Sequence, residues 1–159
     1  MTLLKSFEEL DYSQALESST EAQKWLEKHG RRFGQFINGK FEKRKNAELI
    51  ASHNPSNGEL LANIEVANAS QLDAAVAAAR KAQRKWQALG GHGRAKVLYA
   101  LARLLQKHTR LTAVLETLDN GKPIRESRDI DIPLAIRHFY HHAGWAQLQE
   151  QELSSYEPI

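Results

Sequence analysis

Cysteine is absent from all 159 residues. That excludes disulfide stapling, cysteine-ligated zinc, iron–sulfur clusters and any thiol nucleophile within the chain. Four prolines and nine glycines are too few for a collagen-like or linker-like chain. Net charge is also scarce: 22 Lys and Arg face 19 Asp and Glu, for a formal +3. So small an excess does not point to nucleic acid. No apolar run approaches the roughly 18 residues a membrane span needs. The N-terminus, Met1-Thr2-Leu3-Leu4-Lys5-Ser6-Phe7-Glu8-Glu9, lacks a signal-peptide core and turns acidic at once. These absences predict a cytoplasmic protein with no nucleic-acid or membrane partner. What remains is a globular mixture, 42% hydrophobic and 26% charged, at a length that suits one compact domain.

Local signals place the elements. Ser18-x-x-Glu21 reads as a capping box, and Gly30 fits the left-handed stop, so a helix is expected over about Thr20 to His29. Residues 1–17 read as an N-terminal arm, with Phe7, Leu10, Tyr12 and Leu16 as anchors. Gln35-Phe36-Ile37 and Lys40-Phe41-Glu42 flank Asn38-Gly39, a pair that tolerates the positive φ a type I′ hairpin demands. Two further strands are expected over Glu48 to His53 and Leu60 to Val66, joined by the turn Asn54-Pro55-Ser56-Asn57-Gly58. Together they make a small antiparallel unit.

From Asn68 onward the apolar period becomes helical. Ser70 is the candidate N-cap, with Asp73 in the first turn. Leu72, Val76, Ala79 and Trp86 share one face, and Gly90-Gly91-His92-Gly93 is expected to end the helix. A further helix spans about Val97 to Leu118, with a break near Thr109 and a stop at Asn120-Gly121-Lys122-Pro123. The last helical stretch, about Ile124 to Gln149, is expected in two pieces, because Pro133 cannot donate; Asp129 or Asp131 would cap the second. Residues 150–159 read as the start of a strand.

Three groups of residues invite chemistry. His138 and His142, spaced i, i+4 beside His141, could share a transition metal. Against this, no carboxylate of an HExxH pattern lies between them, and surface or packing histidines would read the same way. Arg80, Lys81, Arg84 and Lys85 could form a basic patch, but they alternate with an apolar stripe as any solvated helix face does. The glycine run 90–93 fits neither G-x-G-x-x-G nor a Walker loop, since Lys96 stands where the third glycine belongs. The residues alone thus describe a helix-rich α+β unit without visible catalytic machinery.

Several strings, in this order and spacing, resemble the N-terminal part of the aldehyde dehydrogenase superfamily. They are Phe36-Ile37-Asn38-Gly39-Lys40-Phe41, Asn54-Pro55-Ser56-Asn57-Gly58-Glu59 and Leu72-Asp73-Ala74-Ala75-Val76-Ala77-Ala78-Ala79-Arg80 with Trp86 following. Leu115-Glu116-Thr117-Leu118-Asp119-Asn120-Gly121-Lys122-Pro123 and Ala143-Gly144-Trp145-Ala146 complete the series. The resemblance covers about Gly34 to Ile159. The lead-in Gln23-Lys24-Trp25-Leu26 to Phe33-Gly34-Gln35-Phe36 and the ending Tyr156-Glu157-Pro158-Ile159 are most similar to the divergent family-sixteen branch.

The resemblance implies an α+β to α/β fold, incomplete here, with helices flanking a nucleotide-binding sheet plus a small antiparallel strand unit. It divides the chain into the arm, 1–17, and the N-terminal part of the family domain, 18–159. It implies an oxidoreductase that converts aldehydes to acids with NAD or NADP, through a cysteine thiolate, a water-activating glutamate and an oxyanion-binding asparagine. Those groups lie later in the family's sequence, so this chain is expected to hold no catalytic and no cofactor-binding residue and to be inactive alone. Ile130 and Leu134 match positions that can line the aldehyde entrance tunnel, with core packing an equal reading. Asp119 matches a position that can hold a monovalent cation with carbonyls near Ser52 and His53; ordering the helix end is the simpler role. The implied partner is the remainder of the polypeptide, and self-association is expected of the fragment. A non-catalytic scaffold or association module of the same fold is the alternative.

Overall fold

The computed structural model describes residues 18–152. The N-terminal arm and the terminal segment 153–159 lie outside the described residues. Helix α1, Thr20–Lys28, begins the described chain. The Ser18/Glu21 capping box does not form: Ser19 is the N-cap without a side-chain bond, and Ser18 Oγ instead accepts from the N–H of Thr20 at 3.2 Å. The other end follows expectation. Gly30 and Arg31 take φ of +66° and +48°. Their N–H groups return to the carbonyls of Glu27 (2.8 Å) and Leu26 (2.9 Å), a Schellman closure that turns the chain into strand β1, Arg32–Phe33.

The hairpin forms as expected. Strands β2, Gln35–Ile37, and β3, Lys40–Glu42, pair across Asn38 and Gly39, whose φ values are +51° and +78°. It makes its own sheet. Strands β4, Leu49–His53, and β5, Leu60–Glu65, pair antiparallel, but β1 adds to β5 in parallel, giving the order β1-β5-β4. The expected antiparallel unit is therefore two sheets, one of them mixed. The two-residue β1 is too short to announce itself by alternation.

Helix α2, Ala69–Ala88, is capped by Asn68 and not by Ser70. Asn68 Oδ1 accepts from Gln71 N at 2.9 Å, and Gln71 Oε1 accepts from Asn68 N at 3.3 Å. Glutamine at the third helical position closes this reciprocal box, which decides the start two residues earlier. The helix ends at Ala88, before the glycine run as expected, but the run is not a loop. The chain kinks at Leu89, Gly90 takes φ +64°, and α3, Gly90–Lys107, starts inside the run. The break near Thr109 is present: α4 runs Thr109–Asn120 and stops at left-handed Gly121.

Beyond Pro123 the backbone stays helical without restarting. A short α5, Ile124–Glu126, passes through a π turn, Ser127–Asp131, into α6, Ile132–Glu152. Neither Asp129 nor Asp131 caps a second piece. Pro133 follows the π turn directly, and the wider turn accommodates its ring and missing N–H inside a continuous helix. Residues 150–152 are the end of this helix and not the start of a strand.

Two packed regions hold these elements. Leu26, Leu61 and Ala62 are buried between α1, the mixed sheet and α4, with Trp25, Phe33, Leu115 and Leu118 against them. The second is the seam of α3 and α6, where Ala95, Ala102 and Ala143 are fully buried. Small side chains let these helices approach closely: a Cβ on Gly91 would stand 2.2 Å from the carbonyl oxygen of Ala146.

Candidate functional site

Two of the strings that carried the family resemblance meet in space. The turn 54–58 is tied by its own asparagine: Asn54 Oδ1 accepts from the Ser56 N–H at 3.0 Å and the Ser56 hydroxyl at 2.8 Å. It leans on the turn that ends α4, with Pro55 Cγ only 2.7 Å from where a Cβ on Gly121 would lie. Glycine at 121 is needed twice, for its φ of +77° and for this contact. Beside them the Ser52 hydroxyl donates to Asp119 Oδ1, 67 residues apart. Asp119 thus joins β4 to the end of α4, at the rim of an apolar cleft of about 420 Å³ between Trp25, Phe33, Leu61, Leu115 and Leu118.

The same turn is fixed from its other side. Asn120 Oδ1 accepts from Lys122 N at 2.8 Å. The Lys122 ammonium donates to Asp131 Oδ2 in the π turn and reaches Glu116 Oε1 at 3.4 Å. The bond to Asp131 raises the Lys122 pKa above its usual 10.5, against partial desolvation. Thr117 Oγ1 and fully buried Ser127 Oγ lie 3.1 Å apart in the same junction. Arg128 forks onto Asp129 at 2.6 and 2.8 Å, which lowers the Asp129 pKa. The sequence reading missed the Lys122–Asp131 pair, although a lysine in the turn and an acid nine residues on were its signal.

Ile130 and Leu134, the tunnel candidates, lie on the outer side of this junction and are 54% and 41% exposed. His138 and His142 lie on an exposed face of α6 with ring centres 6.4 Å apart, and no group of three or more metal-ligating side chains converges among the described residues. Arg80, Lys81, Arg84 and Lys85 are exposed along α2.

A second polar group escaped the sequence reading. Glu65, 2% exposed, ends β5. Its carboxylate accepts from Arg32 Nε at 2.8 Å and from the Arg44 N–H at 2.9 Å. The Arg44 N–H does most to hold its pKa below the usual 4.5, with the Arg32 guanidinium assisting against desolvation. The group locks the β3–β4 connection onto the mixed sheet. Its partners stand 33 and 21 residues away, so no local pattern revealed it.

The strand-to-helix turn among the described residues does not fit a dinucleotide's pyrophosphate. A pyrophosphate is held by backbone N–H groups at a glycine-bearing strand-to-helix turn. Among the described residues the chain passes from strand to helix once, at Val66-Ala67-Asn68 between β5 and α2. That turn has no glycine, and the Asn68 side chain takes the Gln71 N–H.

Comparison with known proteins shows the family to which these strings belong. The sequence model of the aldehyde dehydrogenase family matches residues 41–158. DhaS of Bacillus subtilis (strain 168), provisionally assigned as an aldehyde dehydrogenase, is 44% identical over 112 residues, 69% of this chain and 23% of its own length. The Bacillus cereus aldehyde dehydrogenase E194S mutant superposes with a TM-score of 0.74 at 32% identity, over 83% of this chain and 27% of that one. PnpE, solved in complex with nicotinamide adenine dinucleotide, gives a TM-score of 0.69 at 35% identity, over 72% and 24%. The chain belongs to the aldehyde dehydrogenase family. It corresponds to an N-terminal portion of the family's fold, about a quarter of the length of these relatives.

Proposed function

We propose that this chain is the N-terminal segment of an NAD(P)-dependent aldehyde dehydrogenase-type oxidoreductase, closest to the family-sixteen branch, and that it is inactive by itself. Family membership over about a quarter of its relatives' length carries the reading. Two features support inactivity in isolation. The chain has no cysteine to attack an aldehyde, and its strand-to-helix turn among the described residues lacks glycine and gives the Gln71 N–H to Asn68.

In the intact enzyme the cofactor supplies a hydride acceptor. The residues here supply shape and support. The Lys122–Asp131 pair holds the π turn against α4, and so fixes where Ile130 and Leu134 stand beside the aldehyde's route. Asp119 orders the junction of the two turns, where a monovalent cation bridged to carbonyls near Ser52 and His53 is the family-based alternative. Residues 18–159 form part of the enzyme domain with 1–17 as an arm, and the enzyme is cytoplasmic and oligomeric. Among the described residues no helix is long and apolar enough to cross a membrane.

The partner surface is the set of apolar side chains left bare on the helices. Leu72, Val76, Leu101, Leu104 and Trp145 are between 39% and 62% exposed. The test measures NADH or NADPH formation with a panel of aldehydes, first with the chain alone and then with a DhaS fragment starting where similarity ends. The expected result is no turnover alone and recovered turnover in the mixture. Turnover by the pure chain alone overturns the inactivity. A mixture that assembles but stays silent supports the non-catalytic scaffold instead.

A further inference from the structure

Helix α6 presents two unlike faces. On one, Ile136 and Ala143 are buried against α3, Tyr140 donates to Gln106 Oε1 at 2.8 Å, and the Tyr99 and Tyr140 rings lie 5.9 Å apart. These contacts fix the helix. On the other face His138, His141 and His142 are exposed, with Trp145 one turn further on. The His138 and His142 rings are 6.4 Å apart, centre to centre, and inclined by only 21°. Among the described residues neither imidazole takes part in a hydrogen bond that a ligand would have to break.

We propose that His138 and His142 form a two-ligand site for a divalent first-row transition-metal ion, with water filling the remaining positions. Imidazole nitrogen is a ligand of borderline softness that suits copper, nickel and zinc. An ion about 2.0–2.1 Å from each nitrogen stands roughly 3.2 Å from each ring centre, so two rings bound side by side are about 4.5–5.2 Å apart. The observed pair must close by about 1–2 Å, which exposed side chains reach by small rotations within their rotamer wells. The spacing supplies the rest: residues four apart on a helix lie one above the other, and the buried face of α6 keeps that helix in place. His141 belongs to a neighbouring stripe; its ring meets that of His142 at 5.3 Å and 79°, edge on. No carboxylate joins them in a group of three ligands among the described residues. Affinity therefore follows the divalent-ion order, with Cu²⁺ tightest and Ni²⁺ and Zn²⁺ weaker.

Trp145 reports occupancy. The Trp145 ring centre is 6.3 Å from that of His141, which in turn is 5.3 Å from that of His142, so the indole stands near enough to the pair for bound Cu²⁺ to quench it. The experiment titrates the full untagged chain with CuCl₂, following tryptophan fluorescence and, separately, heat with NiCl₂. Wild type should saturate at one ion per chain. His138→Ala and His142→Ala should each weaken binding at least ~10-fold, since even outer partners of metal ligands are worth 10–100-fold. H141A should keep the affinity within ~2-fold, and W145F should keep the nickel heat while losing most of the quench. Circular dichroism confirms that these surface variants fold. Quenching that never saturates, or H138A and H142A variants that bind like wild type, overturns the site.

Discussion

The close backbone approach between α3 and α6 lends itself to a paired substitution. Gly91 on α3 faces the carbonyl of Ala146 on α6, and a methyl there would meet that oxygen at 2.2 Å. Ordinary contacts begin above about 3 Å, so the helices must separate by about 1 Å, and no rotamer change can relieve a clash with backbone. The seam holds Ala95, Ala102 and Ala143 at full burial and Ile136 at 6% exposure, so separation loosens all of them. Overpacking of this kind costs about 1–3 kcal/mol, and a backbone collision belongs at the upper end. Replacing glycine by alanine in a helix returns at most about 1 kcal/mol, and less in the first turn, where Gly91 sits. The expected net effect of G91A is destabilisation of about 1–2 kcal/mol. Gly144 on the facing helix is the control, because a Cβ there meets nothing within 4 Å. G144A should stabilise by about 0.5–1 kcal/mol. Urea unfolding followed by circular dichroism at fixed protein concentration reads both. A G91A variant as stable as wild type would refute the close seam, and equal loss in G144A would point to backbone freedom instead.

Other expectations follow from the same contacts. Because the folded pKa of Glu65 is depressed, its stabilisation is present above about pH 4.5 and lost as pH falls through the folded value; E65Q should lower the urea midpoint at pH 7 and flatten its decline between pH 5 and 3. Asn68→Ala removes the cap of α2 and should cost about 1 kcal/mol, whereas Ser70→Ala should change stability by less than half of that. The isolated chain should self-associate, visible as concentration-dependent light scattering, and Leu104→Glu, at a side chain 54% exposed, should reduce it. A monodisperse monomer with a sharp, concentration-independent transition would count against that last expectation.

What could be read from the sequence was what single residues enforce on their own backbone. Gly30, the pair Asn38-Gly39 and Gly121 all adopt the left-handed conformation their positions implied. The break before Thr109 and the stop after Asn120 are likewise local. The errors arose where a neighbour outweighed the local signal. Asn68 and Ser70 both suit an N-cap, and the choice fell to Gln71, whose side chain returns to Asn68 N at 3.3 Å. The glycines after Leu89 do mark a stop, but the next helix starts within them, and Gly91 is required by Ala146, 55 positions away. Asp119 was placed only by family resemblance, and its hydroxyl partner, Ser52, is 67 residues distant. Glu65 was invisible for the same reason: its partners stand 33 and 21 residues away, and an ion pair across a fold leaves no period in the sequence.

The apolar stripes were legible as stripes, but not as core. An amphipathic pattern states that one face of a helix is to be covered, and leaves open by what. In this chain the fully buried helix residues are small, Ala95, Ala102, Ala113 and Ala143, while Leu72, Leu104 and Trp145 keep 62%, 54% and 48% of their surface. That inverts the usual order of burial, in which long aliphatic side chains go inside first. Each such side chain is worth roughly 1.5–3 kcal/mol when fully covered. The inversion therefore marks large, unspent driving force on the outer faces of α2, α3 and α6. It supports the proposed reading, in which these helices flank a layer supplied by the remainder of the polypeptide. The short seam between α3 and α6 then works as the clasp that holds two helices in register for a further surface.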